Sequence, residues 1–260
     1  MSLHLPRLGD DPASPFPAVD TALRRPDGLL AFGGDLTPTR LLNAYAQGIF
    51  PWFSEGQPIL WWSPDPRMVF RSEGVRLGAR FRRSLRHSRW QVRADTAFEA
   101  VVAACASVPR PGQRGTWITD GMQEAYGALH RLGHAHSVEV FDGNVLVGGI
   151  YGVAVGRMFF GESMFSGRSG GSKVALAALA RDLHARGWPL LDAQVENDHL
   201  LRLGAESWPR PRFIDAVLRL SGEAAEPGPW TGRFGVVPAA VLAEAGGPVT
   251  PAPARETGPV

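Results

Sequence analysis

Tyr151-Gly152-Val153-Ala154-Val155-Gly156-Arg157-Met158-Phe159-Phe160-Gly161-Glu162-Ser163-Met164-Phe165-Ser166 opens the stretch that decides the fold. A glycine-rich loop, Gly167-Arg168-Ser169-Gly170-Gly171-Ser172, follows it, and then an alanine- and leucine-rich run from Lys173 to Arg186. Tyr151 to Val155 is mainly β-branched, aromatic or small, and Met158 to Phe165 carries Phe159, Phe160 and Phe165, so both parts suit strands. The run from Lys173 reads as a helix with Gly187 as its C-terminal stop. Trp188 to Leu191 is apolar and long enough for a buried strand, and it ends in Asp192-Ala193-Gln194. Asp192 and Gln194 are two apart, so in a continuing strand their side chains share a face, and Glu162 can approach from a neighbouring strand. Clustered acids in a pocket can bind a cationic substrate or act as general base; the plainer alternative is a pair of polar strand-end residues. A strand, a glycine loop, a helix and a second strand ending in a carboxylate and an amide form a site architecture.

Around that stretch, the bulk properties narrow the classes. A chain of 260 residues can bury a sizeable core as one large domain or two. Hydrophobic content of 44% and charged content of 20% are ordinary for a soluble globular protein. Lys173 is the only lysine, and the net charge is +2, so nucleic-acid contact would need a local patch. The single cysteine, Cys105, excludes an intramolecular disulfide and sits on the apolar face expected of a helix from Asp95 to Ser107, with Phe98, Val101 and Val102. No apolar run approaches about 18 residues and no signal pattern opens the chain, so a cytoplasmic protein without membrane contact is expected. Heptads are absent, and a monomer is the expectation.

Arg71 to Arg93 holds Arg71, Arg76, Arg80, Arg82, Arg83, Arg86, Arg89 and Arg93 against Glu73 alone. That imbalance is steeper than a mixed solvated surface and points to a patch that positions a phosphate backbone. Upstream, Thr37-Pro38 is a helix start with proline at its first position, and Gly48 ends that helix. The aromatics of Ile49 to Phe53 and Leu60 to Trp62 serve either a small core or a pocket wall. Asp120 is the candidate N-cap of a further helix bearing Met122, Tyr126 and Leu129. His130, His134 and His136 straddle that helix's end and lack a cysteine or acid at ligand spacing, so no metal site is expected. Gly161-Glu162-Ser163 has the outline of a nucleophile elbow, yet Phe165 occupies the position where the elbow's strained turn needs glycine. Val138 to Val147, with Asp142-Gly143-Asn144 at its centre, reads as a hairpin. Residues past Leu220 are rich in proline, glycine and alanine and are expected to carry little order, with Trp230 and Phe234 as docking points.

From Val138 onward the order hairpin, strand, glycine loop, helix, strand resembles the core of the acetyltransferase-like (GNAT-like) fold. In its acyl-CoA-dependent members such a loop holds pyrophosphate through backbone amides; here it either holds a phosphate or sugar or caps the helix. Several longer motifs resemble a more specific family. Pro26-Asp27-Gly28-Leu29-Leu30-Ala31-Phe32-Gly33-Gly34-Asp35-Leu36, Ala44 to Phe53, Ile59 to Arg67, Gly115 to Thr119, Ala135 to Val140, Phe159 to Ser166, Ser172 to Leu176 and Leu190 to Val195 are similar to segments of the bacterial leucyl/phenylalanyl-tRNA–protein transferases. The resemblance runs in consistent order from about Phe16 to Leu220. It departs at Gly170-Gly171, where aspartate and alanine are expected, and at Arg202, where serine is expected.

The resemblance implies an enzyme that moves leucine, phenylalanine or methionine from its tRNA to a protein beginning with arginine or lysine, marking that protein for N-degron proteolysis. It implies no metal or organic cofactor, because the aminoacyl ester is already activated. Arg76, Arg80, Arg82, Arg83, Arg86 and Arg89 would hold the tRNA. Tyr45, Trp52, Trp117, Tyr126 and Phe159 would surround the aminoacyl-adenosine, and a pocket at Ile150 would take the apolar side chain. Glu162 and Asp192 would receive the cationic acceptor residue, and Asp192 and Gln194 would orient its amine. Two routes for the proton remain, through Asp192 and Gln194 or through a ribose hydroxyl of the tRNA. Two rival readings are an acyl-CoA-dependent N-acyltransferase and a non-catalytic tRNA-binding module. The expected architecture is α+β: a small N-terminal α/β domain over 1–70, an arginine-rich connecting segment over 71–93, a GNAT-like catalytic domain over 94–220, and a Pro/Gly/Ala-rich tail over 221–260.

Overall fold

The computed structural model describes residues 5–108 and 116–244; the expected loop at Pro109–Gly115 and the end of the tail lie outside that range. The first elements are β1 (Arg7–Leu8), β2 (Leu29–Gly33), α1 (Pro38–Tyr45), β3 (Phe50–Pro51) and β4 (Leu60–Trp62). Their strands pair in the order β1-β2-β4-β3. Helix α1 starts as the sequence dictates, with the Thr37 hydroxyl accepting from the Arg40 amide and Pro38 in the first turn. Trp61 is fully buried and meets Phe16 edge-on at 4.9 Å, so part of the aromatic run is core.

The chain continues through β5 (Arg67–Arg71), α2 (Ala79–Leu85), β6 (Gln91–Ala94), α3 (Phe98–Ser107) and α4 (Asp120–Arg131). Next come β7 (Ala135–Asp142), β8 (Val145–Val155), β9 (Met158–Ser166), α5 (Gly171–Ala185) and β10 (Leu190–Gln194). The last elements are α6 (Asp198–Arg202), β11 (Glu206–Trp208), α7 (Arg210–Ser221), α8 (Thr231–Phe234) and β12 (Val237–Pro238). The second sheet orders its strands β11-β5-β10-β9-β8-β7-β6-β12. The class is therefore mixed α+β, with two sheets and eight α-helices among the described residues.

Alternation along β8 builds both faces of this sheet. Tyr151 and Val153 pack with α3, α4 and the small sheet, whereas Ile150 and Ala154 face the layer that holds α5. Helix α5 is apolar nearly all round because it lies in that layer between the sheet and the returning C-terminal segment. It starts hard against β8: a Cβ on Gly148 would sit 2.4 Å from the Gly171 backbone, and one on Gly171 2.2 Å from the Val147 oxygen. Only paired glycines permit that approach.

Four sequence expectations need correction. β5 and β6, assigned to the N-terminal domain and the connecting segment, are strands of the large sheet, paired with β10 and β7. Met68, Val69 and Phe70 are buried on both sides of the strand, which an edge-of-domain segment could not achieve. The first helix after β6 begins at Phe98, not Asp95, because Asp95 takes a left-handed φ of 57° and its carboxylate accepts from Ser137 N and Trp230 N. Thr119, not Asp120, caps α4. The tail is ordered through Glu244: Trp230 is buried, stacks on His136 at 4.0 Å, and β12 extends the sheet beside β6. Aromatic burial outweighs the entropy of a proline- and glycine-rich segment. Among the described residues no helix is long and apolar enough to cross a membrane.

Candidate active site

The site gathers at the middle of β9 and the end of β10, which run parallel with Asp192 opposite Phe160. Glu162 lies two residues past that pair and is 8% exposed. Three donors hold its carboxylate. Tyr45 OH from α1 donates to Oε1 at 2.8 Å, Tyr126 OH from α4 to Oε2 at 2.5 Å, and Gln194 Nε2 to Oε1 at 2.9 Å. The two phenols also touch, at 2.9 Å. Burial pushes the Glu162 carboxyl up to about 7; the tyrosine hydrogen bonds oppose the rise and the Asp192 charge adds to it. Burial, and then the Glu162 charge, raise both phenols well above the usual tyrosine range, so they stay donors.

Asp192 is fully buried and occupied. Arg67, from β5, clasps it with Nε to Oδ1 at 2.8 Å and Nη2 to Oδ2 at 2.7 Å. The same guanidinium donates from Nη1 to Gly48 O at 3.0 Å and lies 4.7 and 4.6 Å from the ring centres of Phe50 and Phe213. Asp192 Oδ1 also accepts the Gln194 amide at 2.9 Å. The strand does not continue straight as the spacing predicts. A bulge separates the two residues and Gln194 adopts φ 62°, so its amide side chain turns onto Glu162. Left-handed backbone in a glutamine is strained, and such strain gathers where a side chain must be aimed. Asp192 therefore acts on Gln194's position, and Glu162 and Gln194 are polar groups that line both cavities.

Two cavities meet at this pair. The larger, about 300 Å³, is lined by Trp52, Trp117, Glu162, Gln194 and the outer residues Glu196, Asn197 and Leu200. The smaller, about 90 Å³, is walled by Phe70, Ile150, Met164, Leu176 and Leu191, with Glu162 and Asp192 at its polar end. Trp52 and Trp117 line the larger cavity and Ile150 the smaller, and Tyr45 and Tyr126 stand one layer behind, on Glu162. Phe159 is different: it packs on the α5 face of the sheet, 5.7 Å from Trp230, and lines neither cavity. Phe160 faces the opposite layer, 5.2 Å from Tyr45. Sequence reasoning missed Arg67 and Glu196. Arginine between two proline signals and an apolar strand was the available sign of the first; the second carried none.

The glycine loop caps α5. Ser166 Oγ accepts the Ser172 amide at 2.9 Å and donates to Ser172 Oγ at 2.9 Å, while Gly170 takes φ 91°. That hydrogen bond occupies a backbone amide that an acyl-CoA pyrophosphate would need. Of the six arginines read as tRNA-binding, Arg80 and Arg83 are exposed on α2, Arg82 is half-buried there, Arg86 is its C-cap, and Arg76 and Arg89 flank it exposed. Phe81 seats that helix over Gly170, where a Cβ would lie 2.4 Å from the ring. His130 stacks on Phe98 at 4.1 Å and bonds Ala135 O, and His136 bonds Asp95, so both imidazoles serve packing.

A family model described as leucyl/phenylalanyl-tRNA protein transferase matches residues 69–218, and one described as its N-terminal domain matches residues 34–65. The chain belongs to this family. A leucyl/phenylalanyl-tRNA–protein transferase of Xanthomonas axonopodis pv. citri is 70% identical over 246 residues, covering 94% of this chain and 99% of the relative. One from Xylella fastidiosa is 65% identical over 228 residues, covering 88% and 94%. A solved structure of a functionally unknown conserved protein from Staphylococcus epidermidis aligns over 70% of this chain and 68% of its own, with TM-score 0.41 and 11% identity, too distant to fix the fold. Glu162, Asp192 and Gln194 lie in the longer match, Tyr45, Gly48, Phe50 and Trp52 in the shorter, and Arg67 in the gap between them, so both matched parts contribute to the site.

Proposed function

We infer that this protein transfers leucine, phenylalanine or methionine from aminoacyl-tRNA to the α-amino group of a protein that begins with arginine or lysine. The observation that carries the reading is a nearly buried carboxylate, Glu162, raised to about 7 and held by two phenols and an amide at the seam of two cavities. The apolar smaller cavity suits the aminoacyl side chain, and its walls of Ile150, Met164 and Leu176 discriminate by only about 1–3 kcal/mol per methylene. A relaxed choice among three apolar residues follows. Trp52 and Trp117 offer the terminal adenosine stacking faces worth about 1–3 kcal/mol per base, and the arginines in and around α2 hold the nucleic-acid backbone.

Reaction joins the acceptor nitrogen to the ester carbonyl carbon and breaks that carbon's bond to the ribose oxygen, which takes up a proton. The attacking amine must be neutral; a free α-amino group has a pKa of about 7.7–8.0. Glu162, poised near the same range, can hold the proton the amine gives up. Gln194 spends one amide hydrogen on Glu162 and keeps its carbonyl to receive an amine N–H. Alignment supplies most of the effect, since positioning alone removes about 7–11 kcal/mol of barrier. Glu162 and Glu196 are the carboxylates on the larger cavity's wall and suit a cationic acceptor side chain; Asp192, neutralised by Arg67, is not available for it.

The element order from β7 to β10 supports an acetyltransferase-like core, with its binding seam against the small N-terminal sheet. The large sheet ends in strands of three and two residues, which offer little edge for a partner sheet and suit a monomer. A cytoplasmic place fits the tRNA donor, and the product enters N-degron proteolysis. The test is transfer of labelled leucine from leucyl-tRNA to a peptide beginning with arginine, beside one beginning with alanine. Labelling of the arginine peptide alone is the expected result, and labelling of neither would overturn the reading.

A further inference from the structure

Helix α6 lies where the two cavities open, since Leu200 lines both. Segments distant in sequence adjoin there. The Arg76 amide donates to Leu203 O at 2.7 Å, and a Cβ on Gly204 would lie 3.3 Å from Arg76 Cγ, so the start of the arginine-rich segment is bound to the end of α6. Lys173, in the first turn of α5, stands 5.7 Å over the ring of Phe81 on α2. Leu176 of α5 and Leu200 of α6 wall the same cavity, and Arg202 ends α6 beside the Leu203 carbonyl that the Arg76 amide binds, so the start of α5, the end of α6 and the segment leading into α2 adjoin. In keeping with that, the His199 imidazole is lowered by burial and then by the positive charges of Lys173 and Arg202. Among the described residues none of Arg76, Lys173 and Arg202 has a carboxylate in ion-pair range. Arg71, Arg157, Arg168 and Arg186 each do. A cationic cluster left unneutralised beside a cavity mouth, continuous with the arginines of α2, is an electrostatic footprint for phosphate.

We propose that Arg76, Lys173 and Arg202 form a phosphate-binding subsite at the junction of α2, α5 and α6, which takes the single-stranded 3′ end of the nucleic acid as it passes from α2 into the cavities. The proposal rests on the donor being a tRNA and adds where its last phosphates lie. Lys173 is then the pivot: its ammonium stands over Phe81 and meets the strand there. Arg202 closes the other side.

The double variant K173Q/R202Q separates this subsite from both α2 and the cavities. Three donors are compared: leucyl-tRNA, a leucyl ester of the trinucleotide CCA, and leucyl-adenosine, which has no phosphate. Removal of two charges lowers the slope of log affinity against log salt by about 1.4 for a single strand. KM is expected to rise about tenfold for the first two donors, with the loss absent for leucyl-adenosine and the denaturation midpoint within error of the parent. An unchanged KM and salt slope for the trinucleotide ester, or equal losses with all three donors, would overturn the subsite. Binding of uncharged CCA trinucleotide, followed by tryptophan fluorescence, reads the subsite without any transfer. Failure of the parent protein to transfer from every donor would therefore sink the transferase reading, while weaker trinucleotide binding by K173Q/R202Q would still uphold the phosphate subsite and equal binding would refute it.

Discussion

Replacing Arg67 by methionine keeps the apolar stem between Phe50 and Phe213 but removes every charge-assisted bond to Asp192. Both partners are fully buried, so no water can stand in for the two bonds of 2.8 and 2.7 Å. Removing one member of a buried pair costs about 3–5 kcal/mol, and the abandoned Gly48 carbonyl adds roughly 1 kcal/mol, for a total of about 4–6 kcal/mol. Against the roughly 5–15 kcal/mol of a typical domain this is a large fraction. The double variant R67M/D192L replaces both charges with apolar groups and should recover most of the loss, within about 1–2 kcal/mol of the parent. Urea denaturation followed by tryptophan fluorescence on the parent, both single variants and the double closes the cycle. Additive costs, or an R67M loss under about 1 kcal/mol, would show that Asp192 is not held by this pair. In R67K, which cannot reach both carboxylate oxygens with a rigid fork, kcat should fall about 100-fold as Gln194 drifts by an ångström or so, with KM for leucyl-tRNA little moved.

Three further outcomes follow from the site and its support. Glu162 is raised in the folded protein above an ordinary glutamate value, so the native state holds the proton more tightly and stability falls as pH climbs from about 4 towards about 7, by roughly 2–4 kcal/mol, then levels. Denaturation midpoints measured across that window should show the slope in the parent and a flat response in E162Q, and an equal slope in E162Q would remove Glu162 as its source. In E196Q the KM for an arginine-initiated peptide should rise severalfold with kcat nearly unchanged, because a cavity-wall carboxylate that contacts the acceptor alone affects binding more than chemistry; identical KM values would place the cation elsewhere. W230A should cost about 3–5 kcal/mol in thermal or urea unfolding through the lost stack on His136 and the emptied pocket behind Phe159, and a loss below about 1 kcal/mol would mean the C-terminal segment is only loosely laid on the sheet.

The strands β7 to β10 and helix α5 were legible because their apolar period matches their surroundings, and the pairing of Glu162 with the end of β10 followed from that order. Other parts were hidden for definite reasons. Arg67 and Asp192 are 125 residues apart, and a lone arginine heading an apolar strand says only that some acid must be found. Gln194's left-handed turn has no residue-level signal, since glutamine does not favour it; the bulge lies in the pairing with β5, a strand more than a hundred residues earlier. The resemblance puts Phe159 near the aminoacyl-adenosine; strand alternation turns its ring to the α5 face beside Trp230 and that of Phe160 towards Tyr45. The docking of the tail rests on one tryptophan that outweighs a composition read as loose.

The Tyr45–Glu162 bond spans 117 positions of chain, and the Arg67–Asp192 clasp spans 125. No contiguous fragment shorter than that span can carry a finished centre. During synthesis, the ribosome releases the small sheet and α1 long before the acids they must meet, so the emerging polypeptide stays silent towards the charged tRNAs crowding around it. Competence needs β10 and α1 both laid against β9, so a molecule in which either end has let go has no finished centre. Catalytic output is thus a gauge of the fraction of molecules folded across that whole span.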